Sequence, residues 1–244
     1  MKKAESWEPS KFVPSETGWG PSKDPKQVGL GSRYITQIAV KEYEKIIKKY
    51  AKGNLLDLGC GNAPLYGIYK DLVNSVTCVD WGKSHNTSYL DYKMDLNREL
   101  KLKSNQFDTV LMTDVLEHIV EPKNLLIEVQ RILRKRGKLI LASPFLYALH
   151  EIPHDYHRYT RYSLEYYCRE SGLKVIDLYP YGGLLEVFMD LVNKTMARYL
   201  HFPKILLSFH CWVSNLVTSS RLGEKIRNRT SESFPLGYIL IAEK

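Results

Sequence analysis

At 244 residues, the chain has room for one core domain with additions, and 44% hydrophobic with 25% charged residues exclude a low-complexity or disordered chain. With 35 Lys and Arg against 27 Asp and Glu the net charge is +8, which favours anionic partners (nucleic acid, phosphorylated substrates or an anionic membrane surface) without choosing among them. Cys60, Cys78, Cys168 and Cys211 are scattered without metal-ligand spacing. The start lacks the apolar core of a signal peptide, and no apolar stretch is long enough to span a bilayer. The expected location is therefore a reducing cytoplasm.

Residues 1–31, rich in Pro, Gly, Ser and Lys and carrying Trp7, Phe12 and Trp19, read as an irregular arm before a domain at 32–244. Ser32 caps a helix running to about Tyr50, with Ile35, Ile38, Tyr43, Ile46 and Ile47 on one face. An apolar run from Asn54 then meets Gly59 and Gly61, which reads as a buried strand entering a tight loop. A helix follows over Leu65 to Leu72. Strand, glycine loop and helix make the nucleotide crevice of a doubly wound sheet. The second strand, Val76 to Asp80, ends on an acid about 20 residues past the glycines, the offset at which a carboxylate accepts from ribose hydroxyls. Trp81 follows and is placed to pack on adenine.

A short third strand precedes Asp95. The fourth strand, Phe107 to Thr113, ends in Asp114-Val-Leu-Glu117-His118. A helix of about 14 residues from Pro122, ended by Gly137, leads into the fifth strand, Lys138 to Ser143. A loop with His150, His154 and His157 follows, then a helix (Leu164 to Ser171) and the sixth strand (Leu173 to Leu178). The seventh strand, Leu236 to Ala242, lies at the C-terminus. An insertion at 181–235 is too long for a plain loop and carries two expected helices, Leu184–Leu200 and Lys204–Thr218. The second has a broad apolar surface (Ile205, Leu206, Phe209, Trp212, Val213, Leu216, Val217), followed by basic residues at Arg221, Lys225, Arg227 and Arg229.

Asp57-x-Gly59-x-Gly61, with Ala63 where a third glycine is usual, resembles motif I of the class I S-adenosylmethionine (SAM) methyltransferases, of the type 11/12 kind. Phe107-Asp-Thr-Val, Leu116-Glu-His and the strand ending Ser143-Pro144 resemble the second half of that pattern. The resemblance covers roughly residues 55–178. It implies an α/β, Rossmann-like seven-stranded sandwich of order 3-2-1-4-5-7-6, with the last strand antiparallel and the helical insertion between strands 6 and 7. It implies SAM as cofactor, held by Asp57, Gly59, Gly61, Asp80 and Trp81. Asp95 and the Leu96 amide would read the adenine edge, with Asp114 at the pocket mouth.

Methyl transfer is an in-line displacement at the sulfonium methyl, and an amine or hydroxyl acceptor must also lose a proton, so a base within hydrogen-bond reach helps. The candidates are His118, His150, His154 and His157, and His154 and His157 are expected within reach of the transferred methyl. Asp114-x-x-Glu117-His118 also resembles a cluster of metal-dependent RNA 2′-O- and ubiquinone-pathway O-methyltransferases, with His157 completing it. The same Leu-Glu-His is frequent in methyltransferases without metal, so no metal is expected, and Asp114, Glu117, His118 and His157 stand as the alternative set. The expected activity is methyl transfer to a hydroxyl or amine of a small molecule or glycan, lipid-linked acceptors included. The rivals are an RNA methyltransferase and a SAM-binding protein without turnover. Residues 184–218 are read as a lid, a homodimer contact or a peripheral membrane contact.

Overall fold

A computed structural model describes residues 1–82 and 88–244. Residues 12–21 correct the expectation of an irregular arm. They form a hairpin, β1 (Phe12–Ser15) and β2 (Gly18–Pro21). Phe12 is buried edge-on against Tyr43, and the Trp19 amide donates to Glu44 Oε2 at 3.0 Å, which clamps the hairpin to the following helix α1 (Arg33–Tyr50). The glycine-bearing strand is β3 (Asn54–Leu58). Behind its loop the helix α2 is a single turn, Tyr66–Tyr69, shorter than expected. There Gly67 lies under both tryptophans of the arm: an added Cβ would sit 2.2 Å from Trp19 and 2.8 Å from Trp7.

The sheet continues with β4 (Ser75–Asp80), β5 (Tyr92–Lys93), β6 (Phe107–Thr113), β7 (Leu133–Pro144), β8 (Lys174–Tyr181) and β9 (Gly237–Glu243). Its order is β5-β4-β3-β6-β7-β9-β8, the expected 3-2-1-4-5-7-6 once the hairpin is set aside. The inner pairs are parallel, and β9 runs antiparallel to both β7 and β8. Buried on both faces, the central strands are mostly apolar, and alternate residues go to opposite sides. Leu56, Val110, Leu139 and Leu240 face α3 (Pro122–Ile132) and α4 (Arg161–Glu170), while Leu55, Leu111, Ile140 and Ile241 face α1 and the hairpin.

The helix α3 has 11 residues rather than 14. Leu133 turns extended to pair with Phe107, so only Arg131 lies in the last helical turn. Arg134 ion-pairs Asp108 at 2.7 Å instead, and Gly137 sits within the strand. The insertion holds three helices rather than two: α5 (Leu184–Arg198), α6 (Lys204–Thr218) and α7 (Arg221–Thr230). The basic run read as a tail to the second helix is the third, capped by Ser220, whose hydroxyl accepts from the Gly223 amide. Among the described residues no helix is long and apolar enough to cross a membrane.

Candidate functional site

The parallel strands end on one edge of the sheet, and the loops leaving β3, β4, β5 and β6 enclose a cavity of about 440 Å³ there, within the usual range for a small-molecule site. Gly59, Gly61, Asp80, Trp81, Asp95, Leu96, Asp114 and His118 line it. Where β3 ends, the Gly59 and Cys60 amides both donate to the Val79 carbonyl (2.8 and 3.2 Å), and the chain turns through left-handed φ at Gly59 (76°), Gly61 (54°) and Ala63 (50°). Ala63 thus holds the third-glycine conformation. Its carbonyl accepts from the Trp7 indole at 3.0 Å, so the arm braces the one position where the motif departs from its pattern. Nothing lies within 4 Å of a Cβ built on Gly61, so that backbone is bare toward the cavity.

Asp80 accepts from the Gly61 amide at 2.9 Å and the Gly82 amide at 3.2 Å, leaving lone pairs for a ligand. Asp57 is placed differently. Its carboxylate is buried behind the loop and accepts from the Tyr69 hydroxyl at 2.6 Å; it lines a neighbouring cavity of about 380 Å³ together with Ser10, Lys11 and Lys26 of the arm. Burial pushes its carboxyl up to about 7, opposed by the Tyr69 hydrogen bond and helped by the Asp80 charge. Asp95 accepts from the Asn97 amide at 3.0 Å, holding its own loop. Asp114, at φ 54°, accepts from the Tyr43 hydroxyl at 2.8 Å.

A second, smaller cavity of about 120 Å³ shares Asp114, His118 and Glu151 with the first. Its other walls include Lys11, Ile35, Ala39, Tyr43, Tyr147, His150, Tyr181 and Leu236. The histidines therefore sort differently from the expectation. His118 lines both cavities and His150 the smaller one, whereas His154 and His157 line neither. The His154 ring packs edge-on to Trp81 at 5.0 Å, with Nδ1 3.2 Å from the Tyr156 hydroxyl, and His157 Nε2 meets the Val120 carbonyl at 3.2 Å. His118 Nδ1 lies 2.7 Å from the His154 carbonyl, which can only accept. Nδ1 of His118 therefore carries the proton, and in the neutral ring Nε2 is the basic nitrogen.

Glu117 sits behind these rings with no solvent exposure. Its carboxylate lies 3.6 Å from His150 Nε2 and 3.8 Å from His118 Nε2, too long for hydrogen bonds, and neither oxygen has a hydrogen-bond partner. Burial raises the Glu117 carboxyl and Asp114 adds to this, while His150 and His118 oppose it. For His150, burial lowers the imidazole, but Glu117 and Asp155 outweigh it and the net shift is upward. Asp155 lies 3.3 Å from His150 Nδ1 and is gripped by both terminal nitrogens of Arg158. Burial would raise Asp155, but Arg158 and the His150 amide hold it down at about 2. Glu117, His118 and His150 offer ligand atoms within 4.8 Å of one another. His150 thus takes the place that the sequence assigned to His157 in the metal alternative.

Several of these residues had no sequence signal. Lys11 and Tyr43 lie far from the glycine motif, and only the packing of the arm and of α1 over the sheet edge brings them in, while Tyr147 and Glu151 enter with the loop that leaves β7 and carries the histidines. For His150 the signal was its place in a histidine-rich loop, which did not rank it above His154 or His157.

A bare glycine loop after the first parallel strand, with an acid closing the second, defines a Rossmann-like nucleoside-binding protein. Residues 56–141 match the methyltransferase domain family. An uncharacterised protein of Methanocaldococcus jannaschii is 31% identical over 140 residues, covering 50% of this chain and 56% of that one. The ubiquinone biosynthesis O-methyltransferase of Nitrosococcus oceani is 27% identical over 165 residues, covering 56% of this chain and 70% of that one. A SAM-dependent methyltransferase from Archaeoglobus fulgidus shares the fold at TM-score 0.53 and 14% identity, over 84% of this chain and 91% of that one. The fold and the domain matched at residues 56–141 are those of the class I SAM-dependent methyltransferases, whose cofactor is SAM; the chain spans about half the length of the first of these relatives.

Proposed function

We propose that this protein transfers the methyl group of SAM to a hydroxyl or amine of a small-molecule acceptor, or of a glycan presenting a single ring. The observation that carries the reading is the meeting of the two cavities at Asp114, His118 and Glu151. The larger is suited to the cofactor, which supplies the electrophilic methyl. The Gly59 and Gly61 backbones and Asp80 would hold its nucleoside, with Trp81, Asp95 and Leu96 around it, and the open space over Gly61 fits a ligand lying against the backbone. The smaller cavity is suited to the acceptor. At about 120 Å³ it has room for one ring among Tyr43, Tyr147 and Tyr181, too little for a nucleotide, which favours a small acceptor over RNA.

His118 Nε2 is the proposed proton acceptor. The ring is oriented by the His154 carbonyl, and the cation formed on proton uptake would sit beside the Glu117 carboxylate. His150 is the second candidate, held between Glu117 and Asp155. The test is release of S-adenosylhomocysteine (SAH) from SAM in the presence of candidate phenols, amines and sugars. Turnover lost in His118→Ala, with SAH affinity retained, supports the reading. SAH binding without turnover for any acceptor would indicate a binding protein instead. Salt-sensitive retention of RNA on a filter, with methylation of that RNA, would reverse the choice of acceptor.

The two unpartnered oxygens of Glu117 favour a second form of the same chemistry. Glu117, His118 and His150 suit a divalent cation, a carboxylate with two imidazoles, and such an ion would acidify an acceptor hydroxyl. Calorimetric titration with Zn²⁺ and Mg²⁺ decides it: wild type would bind one ion and Glu117→Gln none. No binding by wild type leaves the imidazoles acting alone.

A further inference from the structure

The three helices inserted between β8 and β9 carry their apolar residues on the wrong side for a globular protein. In α5 the buried residues are Glu186, Asp190, Asn193 and Lys194, while Leu184, Phe188 and Leu191, at helical spacing, are 44%, 56% and 60% exposed. The buried charges are paired internally, Asp190 with Lys194 and Glu186 with Arg227. In α6 the inner stripe is Leu207, Cys211, Ser214 and Thr218, held by the Tyr34 hydroxyl on Thr218 at 3.2 Å and by His210 on Asn193 at 3.0 Å. The outer stripe, at the same spacing, is Ile205, Phe209, Trp212 and Leu216, each at least 58% exposed. Tyr199 and Leu200, in the link between the two helices, are exposed as well.

Of the three roles the sequence left open, this outward direction argues against the lid, because a lid would turn its apolar face toward the cavities. Large contiguous exposed apolar surface marks an interaction site, and the charges around it say what covers it. The exposed charged residues of the three helices are the cations Arg198, Lys204, Arg221, Lys225 and Arg229 against one acid, Glu224. A second copy docked symmetrically would set two such basic patches against each other, and like charges across an interface oppose association. An anionic bilayer complements both features, taking the aliphatic and aromatic side chains at the acyl boundary and the Arg and Lys side chains at the headgroups.

We propose that this protein docks peripherally on anionic membranes through the outer faces of α5 and α6, with Arg198 and Lys204 at the ends of these helices and Arg221, Lys225 and Arg229 of α7 at the headgroups. The docking face belongs to an element that packs against a wall of the smaller cavity: Lys194 of α5 holds its ammonium 3.7 Å from the centre of the Tyr147 ring, and Tyr147 lines that cavity.

The test is sedimentation of the full chain with vesicles of phosphatidylcholine alone and of phosphatidylcholine containing phosphatidylglycerol, at low and high salt. Wild type is expected to bind the anionic vesicles at least about tenfold more tightly than the neutral ones, since several basic residues would lie at the anionic surface. Salt should erase the difference. The double variant Phe209→Glu, Trp212→Glu should lose binding at least about tenfold, while its thermal midpoint and SAH affinity stay at wild-type values, because both side chains point into solvent. A second double variant, Ile205→Ser, Leu216→Ser, should behave alike and guards against misfolding of the first. Wild type failing to bind anionic vesicles at low salt overturns the proposal. So does a solution dimer that Phe209→Glu, Trp212→Glu dissociates, which would assign the face to a second copy.

Discussion

The two glycines of the β3–α2 loop should fail in opposite ways when given a side chain. Both hold left-handed φ, which costs an L-residue about 1–2 kcal/mol. At Gly59 the new Cβ would lie 2.5 Å from Val115 Cγ2 and 3.0 Å from its Cγ1, so a buried valine must move, and overpacking of this kind costs about 1–3 kcal/mol. Gly59→Ala should therefore lose about 2–5 kcal/mol of stability. At Gly61 the Cβ meets nothing within 4 Å and points into open cavity, so Gly61→Ala should lose only the backbone cost, about 1–2 kcal/mol. In compensation it should damage binding, because its methyl takes the space where a ligand would lie against the backbone. Urea denaturation and calorimetry with SAH, run on both variants, separate the two effects. Gly61→Ala binding SAH with wild-type affinity would refute the placement of the cofactor against this loop. Gly59→Ala as stable as wild type would refute the role given to Val115.

Four further outcomes follow from the same geometry. Asp80→Ala should weaken SAH binding by about 1–3 kcal/mol, the loss expected for hydrogen bonds to a charged group, read by calorimetry. His118→Ala should lower kcat by about 10²–10⁴-fold, the usual worth of a positioned base, whereas His154→Ala and His157→Ala, whose rings line neither cavity, should stay within a few-fold. Asp57 carries a pH signature: because burial raises its folded carboxyl to about 7, the folded state holds a proton that the unfolded state has released from about pH 4 upward. Stability from this group falls between about pH 4 and 7 and is flat above, by on the order of 4 kcal/mol in total. Urea midpoints of Asp57→Asn across that window should lack this slope. Trp7→Phe removes the indole donor to Ala63 and should cost about 1 kcal/mol in urea denaturation; no change would mean that the arm does not brace the loop.

The central sheet and the glycine loop could be read from the chain because local physics specifies them. Runs such as Leu139–Ala142 and Val110–Met112, apolar at every position, have few alternatives to a buried parallel strand, and Gly59 and Gly61 stand where the backbone needs left-handed φ. The expected strand order holds, and of the acids it assigned to the cofactor, Asp80, Asp95 and Asp114 line the larger cavity. Asp57 does not, because whether a carboxylate faces a ligand or a Tyr69 hydroxyl depends on a helix packed behind the loop.

The hairpin at 12–21 was missed because its pairing is short, and its stability comes from Phe12 on Tyr43 and Trp19 on Glu44, contacts between distant parts of the chain. The choice among four histidines was likewise tertiary. His150, His154 and His157 share one loop and one chemistry, and only the fold of that loop over Glu117 turns His150 inward and leaves His157 on Val120. The same holds for the insertion. Periodicity identifies Ile205, Phe209, Trp212 and Leu216 as one stripe of a helix, but a stripe has no direction until its neighbours are in place. Polar pairing of Asn193 with His210, and of Tyr34 with Thr218, claims the inner side and leaves the apolar stripe facing outward.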